Sequence, residues 1–369
     1  MGASRIDTTC TLIHNLDAPL GFLTAYVPEE LFHAAGFTPL FIFHTPDDHG
    51  HARAHLPGFT CWIAGSALDQ AMAGELKGLA GIALAQTCDT MQGLTDLWRR
   101  NVPDIPLFHF GMPLRLDGPA ARAYLLAELQ SLRRRVQALI GRTIPDDALW
   151  ESIALYNHTR ALVRRIYAYA AHLAPSELYK LVRLAFQMPK ETYNREMEDW
   201  VQTTQHRMQE AIPPPAPRLL LIGPAMADPV LFDVLDQAGA RVVGDVLDLG
   251  ERYFAVNVAA DDTGSAPLET MADRLLALLP TPTKHHPQHA RPAHLLSLVQ
   301  GRHAAGVIFA RQKFCEPHGF DYAHMAHTLN QNNIPHLMVE LEQSSQAGQL
   351  RTRVEAFVEM ISQRSSVRT

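Results

Sequence analysis

The stretch that decides the fold is Ala80-Gly81-Ile82-Ala83-Leu84-Ala85-Gln86-Thr87-Cys88-Asp89. Gly81 to Ala85 is wholly apolar and too short for a buried helix, so it reads as a strand covered on both faces. A short loop then ends in a cysteine followed by an acid. The same design returns in Ala305-Gly306-Val307-Ile308-Phe309-Ala310, whose loop ends in Cys315-Glu316. The second loop is two residues longer, so the likeness is one of design and not a strict repeat. Chance similarity of short apolar runs and true structural equivalence both stand as explanations.

Working outward, Pro28-Glu29-Glu30-Leu31-Phe32-His33-Ala34-Ala35-Gly36 predicts a short helix opened by Pro and acids and closed by Gly. Pro39 to Phe43 predicts a buried strand, and Ala67 to Leu76 a second helix. Helices alternating with short apolar strands indicate a parallel sheet with both faces covered. From Pro119 to about Gln209 the texture changes. Leu125, Leu129, Leu132, Val136 and Leu139 recur at helical spacing, with the Arg133-Arg134-Arg135 run as a solvated face. Trp150 to Tyr169 and Leu178 to Phe186 continue the helical pattern.

Pro213-Pro214-Pro215-Ala216-Pro217 is a stiff linker that cannot be helix interior. Beyond it, strands are expected at Arg218–Gly223, Ala240–Val243, Gly306–Ala310 and His336–Val339. Helices are expected at Pro229–Ala238, about Asp321–Asn330 with Asp321 as N-cap, and Leu350–Ile361. The fold class is therefore α/β: two parallel-sheet α/β domains, flavodoxin- or Rossmann-like, joined by a helical region. Residues 1–118 form the first domain, carrying Cys61 and Cys88. Residues 119–212 are the helical region, 213–217 the linker, and 218–369 the second domain with Cys315.

The chain has 369 residues, 47% hydrophobic and 19% charged, which fits a folded protein of two or three domains. Its net charge is −6 with no basic block, so nucleic acid is not an expected partner. Met1 to Asn15 has no apolar core of a signal peptide, and no stretch approaches the roughly 20 apolar residues of a membrane span. The expected location is cytoplasmic, with no membrane partner, and the four cysteines are then reduced. They are buried small hydrophobes, reactive thiols or metal ligands.

Ligands of open parallel sheets bind beyond the carboxyl ends of the strands. Cys88 and Cys315 both fall there, and Cys61 lies in a loop before a helix. Three cysteines on three loops can therefore converge. Against this, no CxxC and no compact ferredoxin run occurs, and buried unreactive cysteines are the ordinary reading of such spacings.

Several blocks in order resemble one family. They are Tyr26-Val27-Pro28-Glu29-Glu30-Leu31 with Ala34-Ala35-Gly36, Cys61 with Ser66-Ala67-Leu68-Asp69, and Cys88-Asp89-Thr90-Met91 through Trp98. After the linker come Gly223, Asp228-Pro229, Gly239-Ala240-Arg241-Val242-Val243 and Gly250-Glu251-Arg252-Tyr253-Phe254. Lys313-Phe314-Cys315-Glu316-Pro317-His318 and Gly348-Gln349-Leu350 through Phe357 complete the set. Together they resemble a subunit of the 2-hydroxyacyl-CoA dehydratase and benzoyl-CoA reductase family, of the 2-hydroxyglutaryl-CoA dehydratase D-component type.

The resemblance implies a [4Fe–4S] cluster on Cys61, Cys88 and Cys315, with its fourth iron open to water, a thiolate or a thioester oxygen. Cys10 lies outside the blocks, as an incidental thiol or a fourth ligand. It also implies an oxygen-sensitive, heterodimeric enzyme with a homologous second subunit and an acyl-CoA substrate. One electron, supplied by a separate ATP-dependent activator iron–sulfur protein, converts the thioester carbonyl to a ketyl radical and makes elimination of water feasible. No Walker A sequence occurs here, so nothing in the sequence suggests that this chain is the ATPase. A benzoyl-CoA reductase subunit uses the same features, and a non-catalytic electron-relay or structural subunit is a third reading.

His318, three residues after Cys315, is the candidate for bonding a cluster sulfur or relaying a proton, and Ser66 is a weaker catalytic candidate. Glu30, Arg291 and Gln349 are candidate substrate contacts, Gln349 at a helix start that can cradle a CoA phosphate. Their plain alternatives are a first-turn carboxylate, a loop arginine and an ordinary helix start. Lys284-His285-His286-Pro287-Gln288-His289, with Arg291 and His294, reads as an exposed prolyl loop in preference to a zinc site.

Overall fold

Eight short, largely apolar strands segregate into two parallel sheets. The computed structural model describes residues 9–43, 50–225, 229–260, 264–287, 290–342 and 347–366. The first sheet contains β1 (Pro19–Phe22), β2 (Thr38–Phe41), β3 (Gly81–Ala85) and β4 (Leu107–Phe110), in the order β2-β1-β3-β4. The second contains β5 (Arg218–Gly223), β6 (Arg241–Leu247), β7 (Gly306–Gln312) and β8 (His336–Leu341), in the order β6-β5-β7-β8. Every pairing is parallel. The fold class expected from sequence is the one found.

The two sheets have one topology. β3 and β7, the strands of the recurring apolar design, hold the same third place in their sheets. The likeness between their sequences is thus structural equivalence. All of β3 is buried, as an inner parallel strand must be, whereas the outer strand β4 alternates half-buried and buried residues.

The helices of the first half are α1 (Thr9–Ile13), α2 (Glu29–Ala34), α3 (Trp62–Ala73), α4 (Asp89–Asn101), α5 (Pro119–Ile140), α6 (Asp146–Ala168), α7 (Pro175–Leu184) and α8 (Lys190–Glu210). Those of the second are α9 (Val230–Gln237), α10 (Glu251–Phe254), α11 (Pro267–Ala277), α12 (Arg291–Gly301), α13 (Glu316–Gln331) and α14 (Ala347–Ser366). Pro119 opens α5, and Gly141 in the left-handed region closes it. Leu125, Leu129, Leu132 and Val136 are buried along one face, but Leu139, expected on that face, is exposed near the helix end. No described helix is long and apolar enough to cross a membrane.

By packing, the chain forms two compact units. One comprises Met1–Thr159, Leu184–Tyr193 and Val256–His286; the other comprises Arg160–Arg183, Asn194–Ala255 and Pro287–Thr369. The division falls inside α6 and α8. In the first unit α11 packs on α5, where the Arg122 guanidinium clasps Asp273 through two bonds of 2.6 and 3.0 Å.

Two expected helix starts are corrected. The helix read from Ala67 to Leu76 begins at Trp62, directly after Cys61, and ends at Ala73. Asp321 is not an N-cap; α13 begins at Glu316, with Pro317 in its first turn, where the missing N–H costs nothing. Asp321 lies inside that helix.

In the second unit a buried carboxylate fixes the end of β6. Asp245 accepts the Tyr167 hydroxyl at 2.5 Å and the amides of Leu247 and Glu251 at 3.1 and 2.9 Å. A side chain on Gly250 would come within 1.9 Å of this carboxylate, so only glycine fits the turn. Burial, aided by the nearby Glu251 carboxylate and opposed by these donors, pushes Asp245 up to about 7. Between the ordinary value of 3.8 and about 7 the folded chain therefore holds more protons than the unfolded one. The contribution to stability is complete at acid pH and is lost as pH rises through that window. Denaturant melts near pH 5 and pH 8 should show wild type losing on the order of a few kcal/mol that Asp245→Asn does not lose. Equal slopes in the two proteins would refute this assignment.

Candidate functional site

In a 2-1-3-4 parallel sheet the connections from the two inner strands leave in opposite directions, and a crevice opens at their carboxyl ends. In the first unit this is the end of β1 and β3; in the second, the end of β5 and β7. Gly223, the last residue of β5, is required there. A Cβ would sit 2.3 Å from the Ala310 carbonyl oxygen of β7.

The three candidate cysteines share one local geometry. Each is the N-cap residue of the helix that follows: Cys61 of α3, Cys88 of α4 and Cys315 of α13. Each carbonyl accepts the first helical bond, from the amides of Gly65, Gln92 and Gly319 at 3.1–3.2 Å. The thiols thus stand where unpaired first-turn amides and the positive end of the helix favour negative charge. All three are half-buried and free of disulfides. Before Cys315, Phe314 adopts φ 63°, a left-handed conformation costly for a bulky residue and worth on the order of 1–3 kcal/mol of strain.

Within the first unit, Cys61 and Cys88 lie near enough for charge on Cys88 to act on Cys61. Burial pushes the Cys61 thiol up to about 11, against the opposing pull of the Ala64 and Ile63 amides. Cys88 is raised by burial too, while the Met91 and Thr90 amides and the Thr87 hydroxyl favour its thiolate. Cys315 belongs to the second unit. Among the described residues, no three His, Cys, Asp or Glu side chains are gathered as an ion site. The donor chemistry nonetheless fits a thiolate-bound centre: soft sulfur ligands, each at helix amides, at the end of a strand or the start of a helix. The side chain of Cys10 lies outside the described residues.

Lys284 is the residue that sequence reasoning missed. Its Nζ donates to the carbonyls of Gln86 and Met112 at 3.2 and 3.3 Å, just beyond the carboxyl ends of β3 and β4. Burial lowers its pKa, and attraction to Cys88 works the other way. The flanking segment, read from sequence as an exposed loop, is tied down by backbone bonds between His285 and Leu114 and Leu116. Its neighbours Gln288 and His289 lie outside the described residues. The pairing is non-local, and the sequence carries no periodic signal for it.

In the second unit, His318 is buried in the first turn of α13, its Nε2 3.7 Å from Asp248. Burial alone would raise Asp248, but His318, Arg252 and Arg291 hold its carboxyl below the usual range. Arg291, at the start of α12, is buried and forks onto both oxygens of Asp321 at 2.9–3.1 Å. Gln349 is exposed in the first turn of α14. In the first unit, Ser66 is buried on α3 and its hydroxyl accepts from Gln70 at 3.0 Å. Glu30 is buried in α2, and its carbonyl accepts from Ser152 at 2.9 Å.

Twin parallel α/β units with a helix-capping cysteine at equivalent strand ends define a class of cysteine-bearing, two-unit α/β proteins. The family model of 2-hydroxyglutaryl-CoA dehydratase, D-component, matches residues 24–361, and the chain belongs to that family. It is 26% identical to a subunit of the benzoyl-CoA reductase of Thauera aromatica, over 93% of this chain and 90% of that one. It is 26% identical to lactoyl-CoA dehydratase subunit beta of Anaerotignum propionicum, over 93% and 91%. It is 25% identical to (R)-2-hydroxyglutaryl-CoA dehydratase subunit beta of Acidaminococcus fermentans, over 93% and 92%.

The burial of Cys61 makes a test in the metal-free protein. At about pH 8, Cys61 should alkylate at least tenfold more slowly than an unhindered cysteine, because the thiolate is the nucleophile. Peptide mapping after timed iodoacetamide exposure reads the rate, which should climb steeply toward pH 11. Full labelling of Cys61 within the reaction time of a free thiol would contradict this.

Proposed function

We propose that this chain is the iron–sulfur subunit of a 2-hydroxyacyl-CoA dehydratase, working with a homologous second subunit and a separate ATP-dependent activator. The observation that supports it best is the shared N-cap geometry of Cys61, Cys88 and Cys315 in a chain of this family. These thiolates would hold a [4Fe–4S] cluster, and three of them leave one iron without a protein sulfur. When bound, the cluster supplies one-electron chemistry to an acyl-CoA thioester.

The chemical task explains the demand. Loss of water from a 2-hydroxyacyl group breaks a C–O bond at C2 and a C–H bond at C3, and forms a C–C double bond. The C3 proton is not acidic in the ground state. An electron placed on the thioester carbonyl makes a ketyl radical anion, which expels hydroxide, and the C3 proton is then readily lost. The electron is recovered at the end, so the net reaction needs no oxidant.

This chain's own residues hold, orient and shield. His318, buried beside Asp248, can keep a proton at Nε2 and deliver it to a hydroxide or a sulfur. Ser66, on the first turns after Cys61, offers a hydroxyl to the thioester oxygen. Gln349, exposed at the start of α14, would meet a CoA phosphate at helix amides. Glu30 and Arg291, both buried, act by holding the surrounding frame.

Benzoyl-CoA reductase subunit is the second reading, favoured by the Thauera aromatica relative. Dehydration of 2-hydroxyacyl-CoA and ring reduction of benzoyl-CoA, assayed with activator and ATP, separate the two. A chain that binds iron but whose spectrum no acyl-CoA alters is an electron relay or a structural partner.

Anaerobic purification should yield about four irons and four sulfides per chain. Serine at Cys61, Cys88 or Cys315 should lose most of that iron, and Cys10→Ser should retain it. Zinc in place of iron, or full iron in all three ligand variants, would sink the cluster assignment.

A further inference from the structure

A half-buried ammonium without a carboxylate is an unusual thing to keep at a strand end. Lys284 has three protons to donate. Two are taken by the carbonyls of Gln86 and Met112, and among the described residues no carboxylate pairs with it. Carbonyl dipoles only partly replace the water that this cation loses, and an unpaired buried charge is costly. The residue is nevertheless held in place from both sides. Three positions before it, the Thr281 amide donates to the buried Tyr26 hydroxyl at 3.2 Å. One position after it, His285 donates to Leu114 at 2.9 Å and accepts from Leu116 at 2.8 Å. The Gln86 carbonyl that receives the ammonium is two residues before Cys88. The fixed cation, lacking a carboxylate, thus stands at the strand end that carries Cys88, whose sulfur favours its charged form.

We infer that Lys284 is a positioning residue for the redox centre. Its ammonium, pinned on the Gln86 and Met112 carbonyls, is the fixed positive charge beside Cys88 that raises the potential at which the centre accepts an electron. The inference rests on the cluster reading above. Its physics is that of any thiolate-ligated centre: each added electron deepens the negative charge, and a nearby cation or donor eases that addition. No proton need move. A mere strut would behave differently, since it would matter to folding and not to potential.

The test uses the full chain, reconstituted anaerobically with ferrous iron and sulfide and titrated with dithionite under electron paramagnetic resonance. Lys284→Met keeps the bulk and removes the charge. It should make the centre about tenfold harder to reduce, about 59 mV lower for a one-electron couple. Lys284→Arg should stay near wild type. Should the Met variant fail to fold by circular dichroism, Lys284→Gln, which still donates to a carbonyl, must show the same shift. An unchanged potential in an iron-loaded neutral variant overturns the inference, as does an Arg variant shifted as far as Met. A wild-type chain that takes up no iron overturns the cluster reading, and this inference falls with it.

Discussion

Parallel pairing is the constraint on which the rest depends. Strands that all run one way deliver all their carboxyl ends to one edge of the sheet, and the helices that return from them begin there. A residue placed between strand end and helix start is therefore both at the sheet's ligand-binding edge and against unpaired helix amides. Cys88 and Cys315 occupy that position after equivalent strands. Cys61 meets the same helix-start condition without directly following a strand. One backbone rule, used three times, sets sulfur against helix amides that favour negative charge, although burial outweighs them at Cys61 and Cys88.

Much of this was legible in the sequence because the inner strands are continuous apolar runs with nothing else they can be. Gly81–Ala85 matched its strand at both ends, and Gly306–Ala310 extended only to Gln312. What escaped was short or non-local. β1 is four residues with a proline at its start and a glycine within, a pattern that argues against an inner strand. The structure gives Gly21 its reason: a Cβ there would press on Ile42 at 2.8 Å and Leu79 at 3.2 Å. β4 carries a histidine and is equally short. At Asp321 the local capping rule competed with Pro317, and proline in a first turn won. Lys284 had no local signal at all, since its partners are carbonyls some 170 to 200 residues earlier, a separation that follows from the contacts themselves.

The buried charges divide by what neutralises them. Glu29, wholly buried in α2, meets Lys190 at 3.2 Å, and that ammonium also lies over the Tyr156 ring at 5.1 Å. Arg291 and Asp321 form a two-pronged pair. Such pairs add little net stability over apolar packing, but removing one partner strands the other, at about 3–5 kcal/mol. They fix geometry. Asp245 takes a different course, drawing donors from a hydroxyl and two amides and rising toward neutrality in its pKa.

Cys61 belongs with neither group, and the difference bears on assembly. Its thiol is raised to about 11, so near neutral pH the metal-free chain holds it protonated and inert. A metal ligand must be the thiolate, and binding therefore expels the proton. The same burial that disfavours a bare thiolate would strengthen its attraction to a bound cation, because both act through low local polarizability. On the cluster reading proposed above, such a thiol resists alkylation and oxidation in the metal-free protein and gains its charge only on ligation. Loading should then become more favourable as pH rises toward the thiol's own value, since fewer protons remain to be displaced. On that reading, burial around Cys61 makes the ionised ligand and the bound centre two aspects of one state.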